Sequence, residues 1–462
     1  IEIVRWLHMK TKILKILRNA DGFVSGQAIC ESLGVSRTAV WKVINQLKEE
    51  GYEFDAVSNK GYRIVNYPDI LTKSEIESQL DKNDIIKKIV FFDETDSTNN
   101  RAKKAAEEGE ESGTLFITEC QTGGRGRRGR NWVSPPGSGI WMTLLIRPDI
   151  RPDEASMLTI VAAMAVSSAI TKVTKYDAKA ILSDEKDISF ADNKIEQCKI
   201  KWPNDIVLDK KKICGILTEM SAEPEHVNYV VTGIGINVNT TEFADEIKDM
   251  ASSIFVQTGV RIKRSHVVAQ FAHDFTEYFN RFIKTQDLSL LVDDYNKMLI
   301  NAGKTVRIEE RGDAYTAEAY GIDNEGRLIV KVDDTGEEKK IIAGEVSVRG
   351  LYGYEEVVLC ASSAYEKKFY LNEEFSRLPE DIKNELKIMC VLFTEEVGGI
   401  LELVFDEEGN LLFRTDADEN DLLYDDIACG MLIKKMQYEK RELLESLEMF
   451  YRVFFFSVKH FE

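Results

Sequence analysis

Residues 123–132 read GGRGRRGRNW, and the two prolines that come soon after decide the class of fold. Gly124, Gly126 and Gly129 satisfy the spacing G-x-G-x-x-G. A dinucleotide-binding turn of that spacing needs a strand before the glycines and a helix opening straight after them. The strand is expected at TLFITE (114–119). The helix is excluded, because the chain continues as NWVSPPGSG and Pro135 and Pro136 cannot continue one. No Gly-Lys-Ser/Thr comes next, which excludes a P-loop. A mobile RNA-binding arm is an alternative that one isolated arginine cluster in an otherwise acidic domain supports weakly, and the segment reads better as an anion-gripping loop between two strands. Glycines let backbone N–H groups approach a ligand, and arginines supply forked donors for phosphate or carboxylate. Trp132 adds a flat face on which a base could stack.

The rest of the chain is not built for nucleic acid as a whole. Its 462 residues carry a net charge of −19, with 44% hydrophobic and 30% charged residues, the balance of a soluble globular protein of about two to four domains. No apolar run is expected to reach the ~18 residues of a membrane span, so no membrane partner is expected. IEIVRWLH is too short, and carries Glu2, to be a secretory signal. Met9 reads as the natural start, with residues 1–8 a gene-model artefact or tag. Seven cysteines without a C-x-x-C pair suggest neither a zinc site nor a disulfide framework, and fit the cytoplasm. The acidity is uneven. Residues 1–67 carry ten Lys/Arg against seven Asp/Glu, whereas residues 355–462 carry twelve against twenty-five.

That basic head (10–67) reads helix, helix, helix, hairpin. KTKILKILRNA is amphipathic, Ser25 opens a second helix that Gly34 stops, and Ser36 caps a third that Gly51 ends. YEFDAVSNKGYRIV then makes two strands around Asn59-Lys60-Gly61. This is the winged helix-turn-helix pattern. Arg37, Thr38, Trp41, Lys42, Asn45 and Lys48 are the expected exposed residues of the third helix, and Ser25, Ser36 and Lys60 join them as candidate DNA contacts. Trp41 has a core position as its alternative.

After a polar connection containing Pro68 and a short helix, strands and helices mix from 84 to 300. IWMTLLIR reads as a buried strand and EASMLTIVAAMAVSSAITKV as a central helix. YDAKAILSDEKDISFADNKIEQ (176–197) is a polar insertion expected to be a surface excursion. Residues 302–352 alternate apolar and polar, with turns at Arg311-Gly312-Asp313, Asn324-Glu325-Gly326 and Asp334-Thr335-Gly336, and predict a small antiparallel barrel. Residues 355–462 predict one strand, a helix near 380–388, a hairpin turning at 408–410 and a long helix near 426–450.

KWPND (201–205) places Lys201 at a strand end, where Pro203 forces a turn. A lone lysine is usually a solvated surface charge, but the apolar flank makes full exposure of Lys201 less expected. A lysine beside arginines suits a reaction that pushes a carboxylate onto a phosphate, because cations remove the repulsion.

DSTN (96–99), QTGGRGRRGRNW (121–132), KWPND (201–205), GIGINVN (233–239) and GEVSVRG (344–350), in this order, resemble the biotin protein ligases. The head resembles that of the bifunctional, repressor kind, and the resemblance covers residues 10 to about 352. It implies a winged helix-turn-helix, a mixed-sheet α/β ligase domain like that of class II synthetases and a small SH3-like β-barrel; residues 355–462 read as an extra α+β module outside the resemblance, and the whole chain as α+β. The resemblance also implies ATP with Mg²⁺ and biotin as reactants, no protein metal site, and a biotin carboxyl-carrier domain of a carboxylase as acceptor. Operator DNA and a homodimer formed with adenylate bound are the further partners it implies. By resemblance, Ser97, Thr98, Asn99 and Gln121 belong to the biotin pocket. Arg125, Gly126 and Arg127 close on the biotin carboxylate and the adenylate phosphate, and Lys201 bridges the two. Trp132 and Asn237 are similar to adenine and phosphate contacts. On the residues alone, Ser97 and Thr98 could simply cap a helix and Asn237 could be a turn residue.

Two rivals come from other classes. A lipoate or octanoyl ligase shares the general fold, but GRGRRGR with KWPND favours biotin. A non-catalytic biotinyl-adenylate sensor is opposed by intact Lys201 and Arg127. The tail has no counterpart in the family. Its acidic run at Asp416, Asp418, Glu419, Asp421, Asp425 and Asp426 lacks the glycine of a calcium loop and reads as solvated surface.

Overall fold

The head folds as its caps direct. Helix α1 spans Glu2–Arg18, α2 Gly26–Leu33 and α3 Arg37–Glu49. Ser25 Oγ accepts from Ala28 N at 3.0 Å and Ser36 Oγ from Ala39 N at 3.2 Å, closing the first turns of α2 and α3. Ile13, Leu14, Ile29, Val40, Ile44 and Leu47 meet in the core these helices share. Strands β1 (Glu53–Val57) and β2 (Gly61–Asn66) form the antiparallel hairpin. The residues before Met9 continue α1, and Trp6 Nε1 donates to Gln46 Oε1 at 2.8 Å.

This computed structural model describes residues 2–453 apart from 183–196, 245–246, 249, 311–312, 334, 343–344, 349–350, 352–356, 373–374, 407–408, 418–423 and 425. The described chain divides into two compact units, residues 1–243 with 250–349, and residues 244–249 with 350–462.

The connection after the head is packed rather than loose. Short helix α4 (Lys73–Glu77) is capped by Thr72, and Leu71, Ser74, Glu75 and Ile76 are buried. The Glu75 carboxylate accepts from Arg18 at 2.8 Å, Tyr52 at 2.5 Å, Gln79 at 2.9 Å and Ser265 at 3.0 Å.

Seven strands make the central sheet: β3 (Lys88–Thr95), β4 (Thr114–Gln121), β5 (Gly139–Ile146), β6 (Lys199–Lys201), β7 (Asp205–Leu208), β8 (Lys211–Ala222) and β9 (Val227–Asn237). Their order is β3-β4-β5-β9-β8-β7-β6, with β3 and β4 parallel and every other pair antiparallel. All eight residues of β5 are buried, as a strand covered on both faces must be. Helix α5 (Thr98–Glu107) lies on β4, β5 and β9, while α6 (Met157–Leu182) packs against β8 and against α8 (Arg264–Thr285). Short helices α7 (Ile254–Thr258) and α9 (Val292–Met298) complete this part.

Helix α6 corrects two expectations. It is long and apolar enough to cross a membrane, with a mean hydropathy of 1.6, yet 83% of that apolar window is buried inside the protein. It also runs to Leu182, so the first part of the expected excursion is helix, and residues 183–196 lie outside the described residues.

Strands β10 (Lys304–Glu310), β11 (Asp313–Ile322), β12 (Leu328–Val332), β13 (Glu338–Ile341) and β14 (Glu345–Val348) form an antiparallel sheet ordered β13-β12-β11-β10-β14. Val306, Ile308, Ala317, Ala319, Leu328 and Val330 are buried at alternate positions, the period of a strand with one face inward. Gly326 makes its expected turn at φ 78°, while Arg311, Gly312 and Asp334 lie outside the described residues. So do Gly344, Arg349 and Gly350 of GEVSVRG.

In the second unit two strands form where one is expected: β15 (Val357–Ser363) turns back as β16 (Lys368–Leu371). Helix α10 (Glu380–Val397) is longer than expected, because Met389, Cys390, Phe393 and Val397 extend its buried face. Strands β17 (Ile400–Phe405) and β18 (Leu411–Asp416) form the hairpin, in the sheet order β16-β15-β17-β18. The expected long helix is two, α11 (Asp426–Glu439) and α12 (Arg441–Tyr451), because Lys440 leaves helical geometry at φ −108°, ψ 18°. Asp418, Glu419, Asp421 and Asp425 of the acidic run lie outside the described residues.

Candidate functional site

The glycine–arginine segment leaves the end of β4 and returns as β5. Bridges Gln121–Ser134 and Arg125–Asn131 draw its two limbs together. Gly126 N donates to Arg130 O at 2.7 Å and Trp132 N to Gly124 O at 3.0 Å. Only a three-residue 3₁₀ turn, Arg127–Gly129, forms at the tip. From there Arg127 Nη1 donates to Asn204 Oδ1 at 2.8 Å, so the loop rests on the KWPND turn.

That turn is pinned from behind. Trp202 N donates to Asn301 Oδ1 and Trp202 Nε1 to Gly326 O, both at 2.9 Å. Asn204 Nδ2 donates to Ile216 O at 3.0 Å. Asp205 pairs with Lys212 at 2.8 Å. Lys201 ends β6 opposite Asp205 and is half-buried.

The start of α5 builds the other wall. Ser97 occupies the cap position but makes no side-chain capping bond. Gln121 reaches across from β4 instead, and its Oε1 accepts from Thr98 N at 2.9 Å and from Thr98 Oγ1 at 3.1 Å. Gln121 Nε2 donates to Ser134 Oγ at 3.0 Å. Behind them Thr143 Oγ1 lies 2.8 Å from Thr98 Oγ1 and 2.6 Å from Asn99 Oδ1. Asn99 Nδ2 donates to Glu219 Oε2 at 2.8 Å, and Lys103 Nζ donates to Glu219 Oε1 at 2.8 Å. Burial acts to raise the Glu219 carboxyl, but its bonds from Lys103 and Asn99 outweigh that and hold it below the ordinary carboxylate range. Asp96, which opens this stretch, is held at about 2, chiefly by the Asn100 amide.

Trp132 lies on the sheet where Gly215 and Gly235 pair across β8 and β9. A Cβ at Gly235 would sit 2.5 Å from Trp132 Nε1, and one at Gly215 2.9 Å from the ring. The indole thus needs both glycines. Its Nε1 is buried without a hydrogen-bond partner among the described residues, and Lys212 Nζ lies 5.5 Å from the ring centroid. Asn237 ends β9 opposite Gly139 and donates to Ser252 O at 3.1 Å.

Ser97, Thr98, Asn99 and Gln121 therefore gather at one place, and Arg127 meets the turn beyond Lys201. Arg125 and Gly126 lie on the limb leading to that tip. Thr143, Ser134, Glu219 and Asn204 belong to the same networks, and sequence reasoning misses them. One signal points to Thr143: it is a polar residue inside an otherwise apolar strand.

In the head, Thr38, Lys42, Lys48 and Lys60 are exposed and Asn45 is half-buried. Trp41 is 55% exposed, so it is not core. Arg37 donates to Gln27 at 2.9 Å, and Ser25 and Ser36 serve as helix caps.

Comparison with known proteins matches the sequence to an HTH domain over residues 10–63 and to the Biotin/lipoate A/B protein ligase family over 91–237. Residues 302–349 match the biotin protein ligase C terminal domain, and 356–459 a family of unknown function (DUF6145). The bifunctional ligase/repressor BirA of Bacillus subtilis is 37% identical over 332 residues, covering 71% of this chain and 94% of that protein. Its namesake in Escherichia coli is 26% identical over 338 residues, covering 73% and 96%. Among solved structures, a biotin protein ligase from Aquifex aeolicus in complex with biotin and ATP is 27% identical at a TM-score of 0.46. It covers 57% of this chain and 99% of that one.

Proposed function

The chain belongs to the bifunctional ligase/repressor branch of the biotin protein ligase family, and we propose that its loop and lysine join biotin to ATP as biotinyl-5′-adenylate. It is a biotin protein ligase that also represses transcription. The observation that carries the residue assignment is the bond from Arg127 to Asn204, which supports one site made of the glycine–arginine loop and the KWPND turn.

In this reading the biotin carboxylate attacks the α-phosphorus of ATP and pyrophosphate leaves. Lys201 stands between the two anions, and Arg125 and Arg127 stabilise the charge that builds on phosphate without moving a proton. Ser97, Thr98, Asn99 and Gln121 hold the biotin ring system, while Gly126 brings backbone N–H groups close. Trp132 and Asn237 take the adenylate side. The mixed anhydride reacts with water, so the loop covers it. The neutral amine of a lysine on a carboxyl-carrier domain then attacks the biotinyl carbonyl, and AMP leaves. Mg²⁺ would travel on the ATP phosphates. Among the described residues no group of three His, Cys, Asp or Glu is placed to hold it.

The domain bounds that go with this are 10–67 for the winged head, 84–300 for catalysis, 302–352 for an SH3-like barrel and 355–462 for a module without assigned role. Arg37, Thr38, Trp41, Lys42, Asn45 and Lys60 contact operator DNA, with Ser25 and Ser36 at the helix starts that face it. The head bears only a small positive charge, so two heads in an adenylate-promoted homodimer read a palindrome together in the cytoplasm. Incubation with biotin, MgATP and a carrier domain tests the enzyme, reading biotin on the carrier lysine. No transfer would refute the assignment. A titration of upstream DNA with and without biotinyl-adenylate, alongside sedimentation, tests the repressor.

A further inference from the structure

We propose that Asn204 is a positioning residue for adenylate formation, one that fixes the direction of Arg127 without cancelling its charge. The inference rests on the assignment of Arg127 to the closing loop.

Asn204 is 9% exposed and held on both of its polar ends. Its backbone carbonyl accepts from Ile216 N at 3.0 Å, and its side-chain Nδ2 donates to Ile216 O at 3.0 Å. Strand β8 thereby holds the amide by its nitrogen. The oxygen then faces the loop tip, where Arg127 Nη1 donates to it at 2.8 Å. The amide cannot rotate without losing the Ile216 bond, so the loop tip has one docking direction.

The chemistry of that acceptor matters as much as its place. A carboxylate there would bind the guanidinium more tightly and neutralise it. An amide oxygen carries no formal charge, so Arg127 keeps its full charge for a carboxylate or phosphate. The carboxylate next door, Asp205, pairs with Lys212 at 2.8 Å. In a chain of net charge −19, a neutral partner for Arg127 is a specific arrangement.

The test uses the full-length protein, with Asn204→Ala, Asn204→Asp and Arg127→Ala, singly and combined. Pyrophosphate release gives kcat and KM for biotin and ATP, and a filter assay gives the rate of adenylate dissociation. Asn204→Ala is expected to speed adenylate loss and lower kcat/KM about tenfold, the effect of one hydrogen bond to a charged group, with part of the loss in kcat because Arg127 acts on charge that builds in the reaction. Asn204→Asp is expected to lower kcat/KM by a similar factor, since it keeps the acceptor but neutralises Arg127 and loses the donor to Ile216. In the Arg127→Ala background it should add less than about twofold, whereas a purely structural asparagine would cost the same with or without Arg127. In the Arg127→Ala background, Asn204→Ala should add less than about twofold.

Additive losses in either double variant would overturn the inference, as would Asn204→Asp with unchanged kcat/KM. Should Asn204→Ala fail to melt as one cooperative unit, the Asp variant decides, measured with and without Arg127→Ala. Wild-type protein that releases no pyrophosphate overturns the ligase reading and this inference with it. Wild-type activity with additive losses overturns the inference only.

Discussion

Arg264 Nη1 lies 2.7 Å from Glu119 Oε2, and Glu119 stands two residues before Gln121 on β4. The same guanidinium bonds Asp69 through Nε at 3.2 Å, and donates to Gly139 O at 3.2 Å. One buried cation thus ties the chain leaving the head to the strands that carry the site. Asn239, just past β9, also donates to Asp69, at 3.2 Å.

Arg264→Leu should therefore strand two carboxylates that keep only partial access to water. A loss of about 3 kcal/mol is expected, the lower end for breaking a buried pair. Urea unfolding measures it. A change within experimental scatter would show that Asp69 and Glu119 find other partners.

Lys201→Ala should leave the fold intact and reduce adenylate formation. Removing one preorganised donor from between two anions costs about 2.7–4 kcal/mol, or about a hundredfold or more in kcat. Near-normal pyrophosphate release from the purified variant would remove Lys201 from the mechanism.

Gly235→Ala should act on ATP and spare biotin. The new methyl would sit 2.5 Å from Trp132 Nε1, so the indole must leave its seat on the sheet. The Thr98–Gln121 network is built on other strands and should hold. Separate titrations of the two ligands read this out, and equal losses for both would contradict the separation of the two subsites.

Lys42→Ala and Lys60→Ala should each weaken operator binding and lower the slope of log affinity against log salt by about one. Both side chains are exposed, on α3 and at the hairpin turn, and neither touches the catalytic networks. Biotin ligation should stay at the wild-type rate. An unchanged salt slope would place the DNA elsewhere.

Local chemistry made much of this legible from sequence. Caps at Ser25 and Ser36 marked the helices of the head, and Pro135-Pro136 forbade a helix after the glycines, where β5 forms instead. What stayed hidden depends on register. Nothing along the chain says that Gly215 will pair with Gly235, or that together they will seat Trp132. Glu219 and Asn99 are far apart in sequence and meet only because β8 pairs with β9, on which α5 lies. In the tail, KKFYLN gave too short an alternation to reveal β16, and the break at Lys440 interrupts an amphipathic pattern that reads as continuous.

Glu75 bears on any attempt to treat the DNA-reading head as a cassette. Arg18 and Tyr52 come from the head, Gln79 from the connection and Ser265 from the catalytic core, and all four bond one fully buried carboxylate. Burial and the neighbouring Glu75 charge push the Tyr52 phenol far above its ordinary range, so it stays a proton donor to that carboxylate. A head cut after residue 67 would expose the apolar seat of α4 and leave Arg18 and Tyr52 without their acceptor. A graft between relatives would have to carry residues 68–79 and a matching hydroxyl at 265. The two halves are thus expected to unfold as a single cooperative block, and each can be transplanted only with its share of the joint.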